Sequence, residues 1–169
     1  MVQSNEYTPY FKFYIEDLIN NGKSIVENLT ETSKTLVEVI SNISSEKELY
    51  VYEEGKWTIK ELLQHIIDCE RIFIYRALRF ARNDKTNLPG FEQDEYNDNA
   101  TANNRNLNEM LQEFILVRQS AIALYNGFSE EALVRIGKAS GNAMSVRALG
   151  YLISGHQRHH IRVFQERYL

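Results

Sequence analysis

Residues 58–80 read TIKELLQHIIDCERIFIYRALRF, and the spacing of the apolar side chains in this stretch decides the fold. Ile59, Leu62, Ile66, Cys69, Phe73, Ala77 and Phe80 recur at alternating steps of three and four. That repeat lays one apolar stripe along an α-helix and makes it a seam of a helix bundle. Thr58 and Glu61 match a capping box, which satisfies free backbone N–H groups in the first turn and marks the start. His65 sits between Leu62 and Cys69 in the same stepping, next to the main seam.

The helical period continues on both sides. One long helix is expected from about Lys23 to Ile43, with Leu29, Leu36, Ile40 and Ile43 on one face. Asn20-Asn21-Gly22 separates it from PYFKFYIEDL (9–18), an aromatic-rich turn or short helix packed across a bundle end. After Arg82, NDKTNLPGFEQDEYNDNATANNRN (83–106) reads as a long crossover loop, its path set by Leu88-Pro89-Gly90, long enough to have a role near a site. A third helix is expected from about Leu107 to Asn126, with Leu107, Leu111, Phe114, Val117, Ala121 and Leu124 inward and Gly127 as a left-handed terminator. Ser129-Glu130-Glu131 opens a short helix, followed by a glycine-containing loop, IGKASGN (136–142). The last helix runs from near Ser145 to about Arg167, with Leu149, Ile153, Val163 and Phe164 on its apolar side. The expectation is an all-α four-helix bundle with short extra helices, forming one domain over residues 1–169.

Composition narrows the function. With 43% hydrophobic and 25% charged residues the chain is ordinary globular protein. A net charge of −4, with no Lys/Arg block interleaved with aromatics, argues against nucleic acid as a partner. The single cysteine, Cys69, excludes an intramolecular disulfide and a Cys-x-x-Cys motif. The start, MVQSNEYTPYFK, lacks the pattern of a signal peptide, and no apolar run approaches the ~18 residues of a membrane span. No membrane partner and a cytoplasmic location are the expectation.

Three of the four histidines fall within residues 155–160, GHQRHH. At about 100° per residue, His156 and His160 lie about 40° and one turn apart, so both rings can converge on one ion. The stripe Leu149, Ile153, His156, His160, Val163, Arg167 follows the core stepping, whereas His159 points to the flank. If the second and fourth long helices are neighbours, His65 meets the pair. Three neutral imidazoles with one position left open match a zinc-type site, and nitrogen ligands also suit Ni, Cu or Fe. The competing reading is a set of hydrogen-bonded core histidines.

GKWTIKELLQHIIDCERIFIYRALRFAR (55–82), LPGFEQDEY (88–96) and SVRALGYLISGHQRHHIRVFQERYL (145–169) resemble the DinB/YfiT-like family of metal-dependent helical bundles. The resemblance implies metal binding by His65, His156 and His160, a divalent cofactor (nickel or zinc), and a homodimer. It also implies a small-molecule substrate, with a low-molecular-weight thiol such as bacillithiol or mycothiol as co-substrate of a transferase. Gln157 stands where relatives often have Glu, so a base there does not carry over.

Asp68 lies within about 60° of the His65 face and either orients a histidine N–H or is a solvated charge. His159 is a further candidate for supporting the ligands. Arg76 projects about 20° from His65 but three turns away, free to hold an anionic substrate or to pair with a carboxylate on a neighbouring helix. Arg118 and Arg147 carry the same two readings. Phe11, Phe13, Tyr14, Phe91 and Tyr96 offer a pocket wall or plain packing. Trp57 reads as an anchor at the helix end, and Cys69 as core packing and not a ligand. The function expected is a metal-dependent transferase, or a hydrolase. The alternative is a non-catalytic bundle stapled by its metal or reporting stress to a partner. A di-iron bundle is excluded by the absence of paired Glu-x-x-His motifs.

Overall fold

The computed structural model describes residues 2–169. Within them the chain forms α1 (Lys12–Ile19), α2 (Ile25–Ser41), α3 (Ile59–Ala81), α4 (Gln93–Asn99), α5 (Leu107–Asn126), α6 (Glu130–Leu133) and α7 (Val146–Val163), which runs on into a π-helical turn over Phe164–Tyr168. The long helices α2, α3, α5 and α7 make a four-helix bundle whose packing runs α2–α7–α3–α5 and back to α2. Successive long helices α2 and α3 therefore lie across the bundle from each other, as do α5 and α7. The helix of His65 and the helix of His156 and His160 are neighbours, and α1 packs on the outside of α7.

Local chemistry sets the helix starts. Thr58 Oγ1 accepts the Glu61 N–H while the Glu61 carboxylate accepts the Thr58 N–H, the reciprocal arrangement read from the sequence. Ser24 and Glu27 repeat it at α2. Asn106, Ser129 and Ser145 each cap a following helix through a side-chain oxygen.

Four expectations change. Gly127 does end α5, but with φ −88° it stays right-handed. The segment expected as a long loop contains α4 and a 3-10 turn at Ala102–Asn104. The glycine-containing loop is a β-hairpin, β1 (Ile136–Ala139) antiparallel to β2 (Asn142–Ser145), with Ile136 opposite Ser145 and Ala139 opposite Asn142. Its two-residue turn, Ser140-Gly141, takes φ +51° and +77°, the left-handed pair that matches the twist of a tight hairpin. Arg167, expected on the inner stripe, is exposed, and Tyr168 is buried in its place. The buried face already runs one residue on from the expected stripe at Gln157 and Ile161, and Phe164 and Tyr168 continue it at steps of three and four.

The hairpin fixes the crossover. Leu88 N–H donates to Lys138 O and Ser140 N–H to Leu88 O, so the segment before Pro89 adds to the hairpin edge. Arg76 then donates to Pro89 O and Ser140 Oγ and lies over the Phe91 ring.

The core is apolar at both ends and polar across the middle. One cluster gathers Ile15, Leu29, Phe73, Leu149 and Ile153, the other Leu36, Ile66, Phe114, Ile161 and Phe164. Between them in register along the four helices lie Thr32, Glu70, Arg118, Ser154 and Gln157, all buried. Arg118 grips Glu70 through two bonds of 2.6 and 2.8 Å and donates further to Leu29 O and Thr32 Oγ1. A fork-to-carboxylate pair with its remaining donors spent on α2 is the arrangement in which a buried charge is tolerated. Truncating Arg118 leaves the Glu70 charge unpaired among apolar neighbours. Arg118→Ala is expected to lower stability by about 3–5 kcal/mol in urea unfolding, and replacing both partners by Met and Leu to lower it by much less. Equal losses in the two variants would contradict the pairing.

Candidate metal centre

The centre lies where α3 and α7 face each other. His65 stands on α3 after its capped start, and His156 and His160 follow one turn apart on α7. The Nε2 atoms of His65 and His156 are 3.1 Å apart, and so are those of His156 and His160. Hydrogen bonding alone does not satisfy this trio. A neutral imidazole Nε2 is either a donor or an acceptor along one in-plane direction. His156 Nε2 faces two other nitrogens, so one of the two contacts is left mismatched. A shared cation removes the conflict, because two nitrogens each ~2.1 Å from one ion lie ~3.0–3.4 Å apart at angles of about 90–110°. The donor set fits a divalent ion of borderline softness.

The environment keeps these nitrogens unprotonated. Burial, helped by the nearby His159, lowers His65 from 6.5 to about 4. Burial, with His65 and His159 adding, lowers His156 to about 3, and the same causes together with His156 push His160 well below its ordinary value. Desolvation penalises the imidazolium, so the rings present lone pairs at neutral pH. Aromatic neighbours fix their planes: Trp57 lies 4.8 Å from His65 between ring centroids, and Phe73 meets His156 edge-on at 5.7 Å. Gly155 admits α1 to this face, since a Cβ there would fall 1.9 Å from Tyr14 O. Tyr14 and Phe13 thereby reach the His159 ring at 5.6 and 5.9 Å.

The other sequence candidates separate. His159 is half-buried beside His160, with ring centroids 4.9 Å apart, and lines a hollow of about 340 Å³ together with His160, Trp57, Tyr52, Lys56 and Asp94. Asp68 accepts from Gln64 Nε2 at 2.9 Å and has Arg71 at 3.8 Å, with no hydrogen bond to a histidine. Arg76 is engaged with Pro89 and Ser140 and does not line that hollow. Arg147 pairs with Glu6, and Arg118 with Glu70. Gln157 is 1% exposed, and neither of its amide atoms has a hydrogen-bond partner among the described residues. Phe91 and Tyr96 pack their rings on each other at a tilt of 47°, and neither lines the hollow.

Three features go beyond what the sequence predicts. Trp57, expected as an anchor at the helix end, also covers His65 with its ring. Tyr168 faces inward, and its hydroxyl donates to Trp57 O at 2.6 Å, closing the hollow from behind. Cys69 packs in the core as expected, and its Sγ also lies against the His65 ring at nearly equal distances from the two nitrogens, 3.7 Å from Nδ1 and 3.6 Å from Nε2.

The sequence matches the DinB superfamily over residues 28–164. No curated protein matches it. Among solved structures, YfiT from Bacillus subtilis superposes with a TM-score of 0.72 at 15% identity, covering 84% of this chain and 82% of that one. YfiT is described as a probable metal-dependent hydrolase with an unusual four-helix bundle topology. At that identity the likeness speaks for the fold. No helix among the described residues is long and apolar enough to cross a membrane.

The lowered histidines set a pH dependence for the metal-free protein. Below about pH 6.5 the unfolded chain takes up protons that the folded centre refuses, so stability falls as the pH falls. For His65 alone, with 6.5 unfolded and about 4 folded, the loss by pH 5 is on the order of 2 kcal/mol. Thermal melts from pH 7 to 5 are expected to show a steeper decline for the wild type than for a variant with all three ring ligands replaced by Gln. Parallel declines would contradict the burial of neutral imidazoles.

Proposed function

The chain belongs to the DinB superfamily, and we propose that it is a divalent-metal-dependent enzyme acting on a small molecule, with a low-molecular-weight thiol as the attacking group. His65, His156 and His160 would hold the ion, nickel or zinc. Bound there, it would supply Lewis acidity and lower the pKa of a coordinated water or thiol. The observation that carries the reading is the convergence of three unprotonated ring nitrogens beside a hollow of about 340 Å³, a volume suited to a small ligand.

The chain's own side chains divide the remaining work. Two helices, packed directly on each other, fix the ligand rings without the mobility of a loop. Trp57, Tyr52 and Tyr168 give the hollow an aromatic wall against which the apolar body of a substrate packs and from which water is displaced. Lys56 and Asp94 on the same hollow offer one charge of each sign to the polar ends of that substrate. His159, half-buried and lowered by burial and by Arg162, is a neutral imidazole placed to take up or return a proton there.

Hydrolysis, with water in place of the thiol, is the second reading, favoured by the shared fold with YfiT and its description. The proposal includes a homodimer, on the family resemblance alone. Loading the protein with zinc or nickel and presenting electrophiles with a panel of small thiols tests the function. The wild type is expected to consume electrophile and thiol together above the metal-in-buffer rate. His156→Ala is expected to lose at least about a hundredfold of that rate with little change in melting temperature. Turnover without thiol would favour hydrolysis. Loss of the fold in His156→Ala, with no turnover in any combination, would instead mark the metal as a structural staple.

A further inference from the structure

A hollow of about 600 Å³, roomier than the one beside the histidines, lies between α1, α2 and α7. Arg158 and Arg162 stand one turn apart on its α7 wall, and both also line a hollow of about 210 Å³ against α1, shared with Gly155 and His159. His159 lines the hollow at the metal centre as well. Shared lining residues thus lead around the outer flank of α7, from His160 and His159 to Arg162 and Arg158. Like charges one helical turn apart repel each other. Arg147 on the same helix grips Glu6, whereas among the described residues Arg158 and Arg162 make neither a hydrogen bond nor an ion pair. The carboxylates on these walls do not neutralise them. Glu31 is held by Lys23 at 2.6 Å and Glu16 by Lys12 at 3.4 Å, which leaves Asp17 facing two guanidiniums and bonded to neither. This concave positive excess runs against the chain's net charge of −4. Leu18 and Ile161 are the apolar side chains on the larger hollow, so it suits a small polar anion better than an acyl chain.

We propose that Arg158 and Arg162 form an oxyanion site, for a carboxylate or phosphate group, that anchors the charged end of the small molecule whose reacting end lies at the metal centre. The oxyanion site stands on the arginine pair and its hollows; the anchoring role rests on the metal-binding reading above. A guanidinium presents its donors in a fork that matches two oxygens of either group, and an anion held between the two arginines relieves their repulsion. Asp17 on the same walls accepts from an ammonium or hydroxyl beside the anion, which favours an amino-acid-like end over a bare dianion. Binding energy gained there, away from the reacting atoms, holds the reacting group against the ion. His159, between the two places, touches both the anchored end and the reacting end.

Titration calorimetry on the full-length, metal-free protein at low ionic strength tests the site, with S-methylglutathione as the carboxylate probe and inorganic phosphate as the other. The wild type is expected to bind at least one of them saturably at one per chain, and the tighter of the two identifies the anion. Arg158→Gln and Arg162→Gln are each expected to weaken that binding about tenfold or more. Arg167→Gln, an exposed arginine that lines neither hollow, is expected to leave it unchanged, as is His156→Ala. No saturable binding of either probe, or equal losses in Arg167→Gln, would overturn the oxyanion site. Zinc-loaded wild type is then expected to bind glutathione, which has a free thiol, more tightly than S-methylglutathione, with the difference lost in His156→Ala. Equal affinities would overturn the anchoring role and leave the oxyanion site standing. Failure of zinc to bind at all would instead overturn the metal reading and the anchoring role with it, while anion binding in the metal-free protein stands or falls by itself.

Discussion

The packing of α3 directly on α7 is the constraint on which the rest depends. It forces three imidazole nitrogens into contacts of 3.1 Å that their own hydrogen-bonding capacity does not satisfy. Such crowding is unfavourable in an empty core, since desolvated lone pairs aimed at one another have no compensating partner. It becomes favourable when a cation stands among them. The strain and the affinity are two sides of one arrangement, and the bundle must be stable enough elsewhere to hold it.

That stability comes from the apolar clusters above and below the middle of the bundle and from the ion pair that spans it. Arg118 on α5 ties Glu70 on α3 to the carbonyl of Leu29 and the hydroxyl of Thr32 on α2. The pair fixes α3 on its α5 side, five residues after His65. With α3 held by α5 and α2 on one side, and α7 held by α1 through the close approach at Gly155, neither histidine-bearing helix is free to slide. A buried ion pair is a weak source of net stability, but breaking it is expensive, so it acts as a register lock.

The sequence carried the bundle plainly, because amphipathic period and capping signals are local. The stripe from Ile59 to Phe80 is buried along its whole length, and Thr58 caps it as its spacing with Glu61 implied. Less local features were lost. The Ser140-Gly141 turn joins strands of four residues, too short for alternation to show against the helical background. Arg167 falls outside the core because the buried face of α7 runs one residue on from the stripe through His156 and His160, along Gln157, Ile161, Phe164 and Tyr168. The metal candidates His65, His156 and His160 were legible because ligand spacing and helix pitch coincide. The fates of Arg76, Arg147 and Asp68 depended on partners from distant segments: the loop at Pro89, the N-terminal Glu6, and Arg71 with Gln64. Cys69 packs in the core, as its place on the seam predicts.

Diffraction from crystals grown with zinc or nickel, recorded at the absorption edge of that metal, examines the central claim most directly. The geometry predicts one anomalous peak per chain, about 2.1 Å from the Nε2 atoms of His65, His156 and His160. A metal bound at some other place, or three rings turned away from one another with no peak between them, would contradict it.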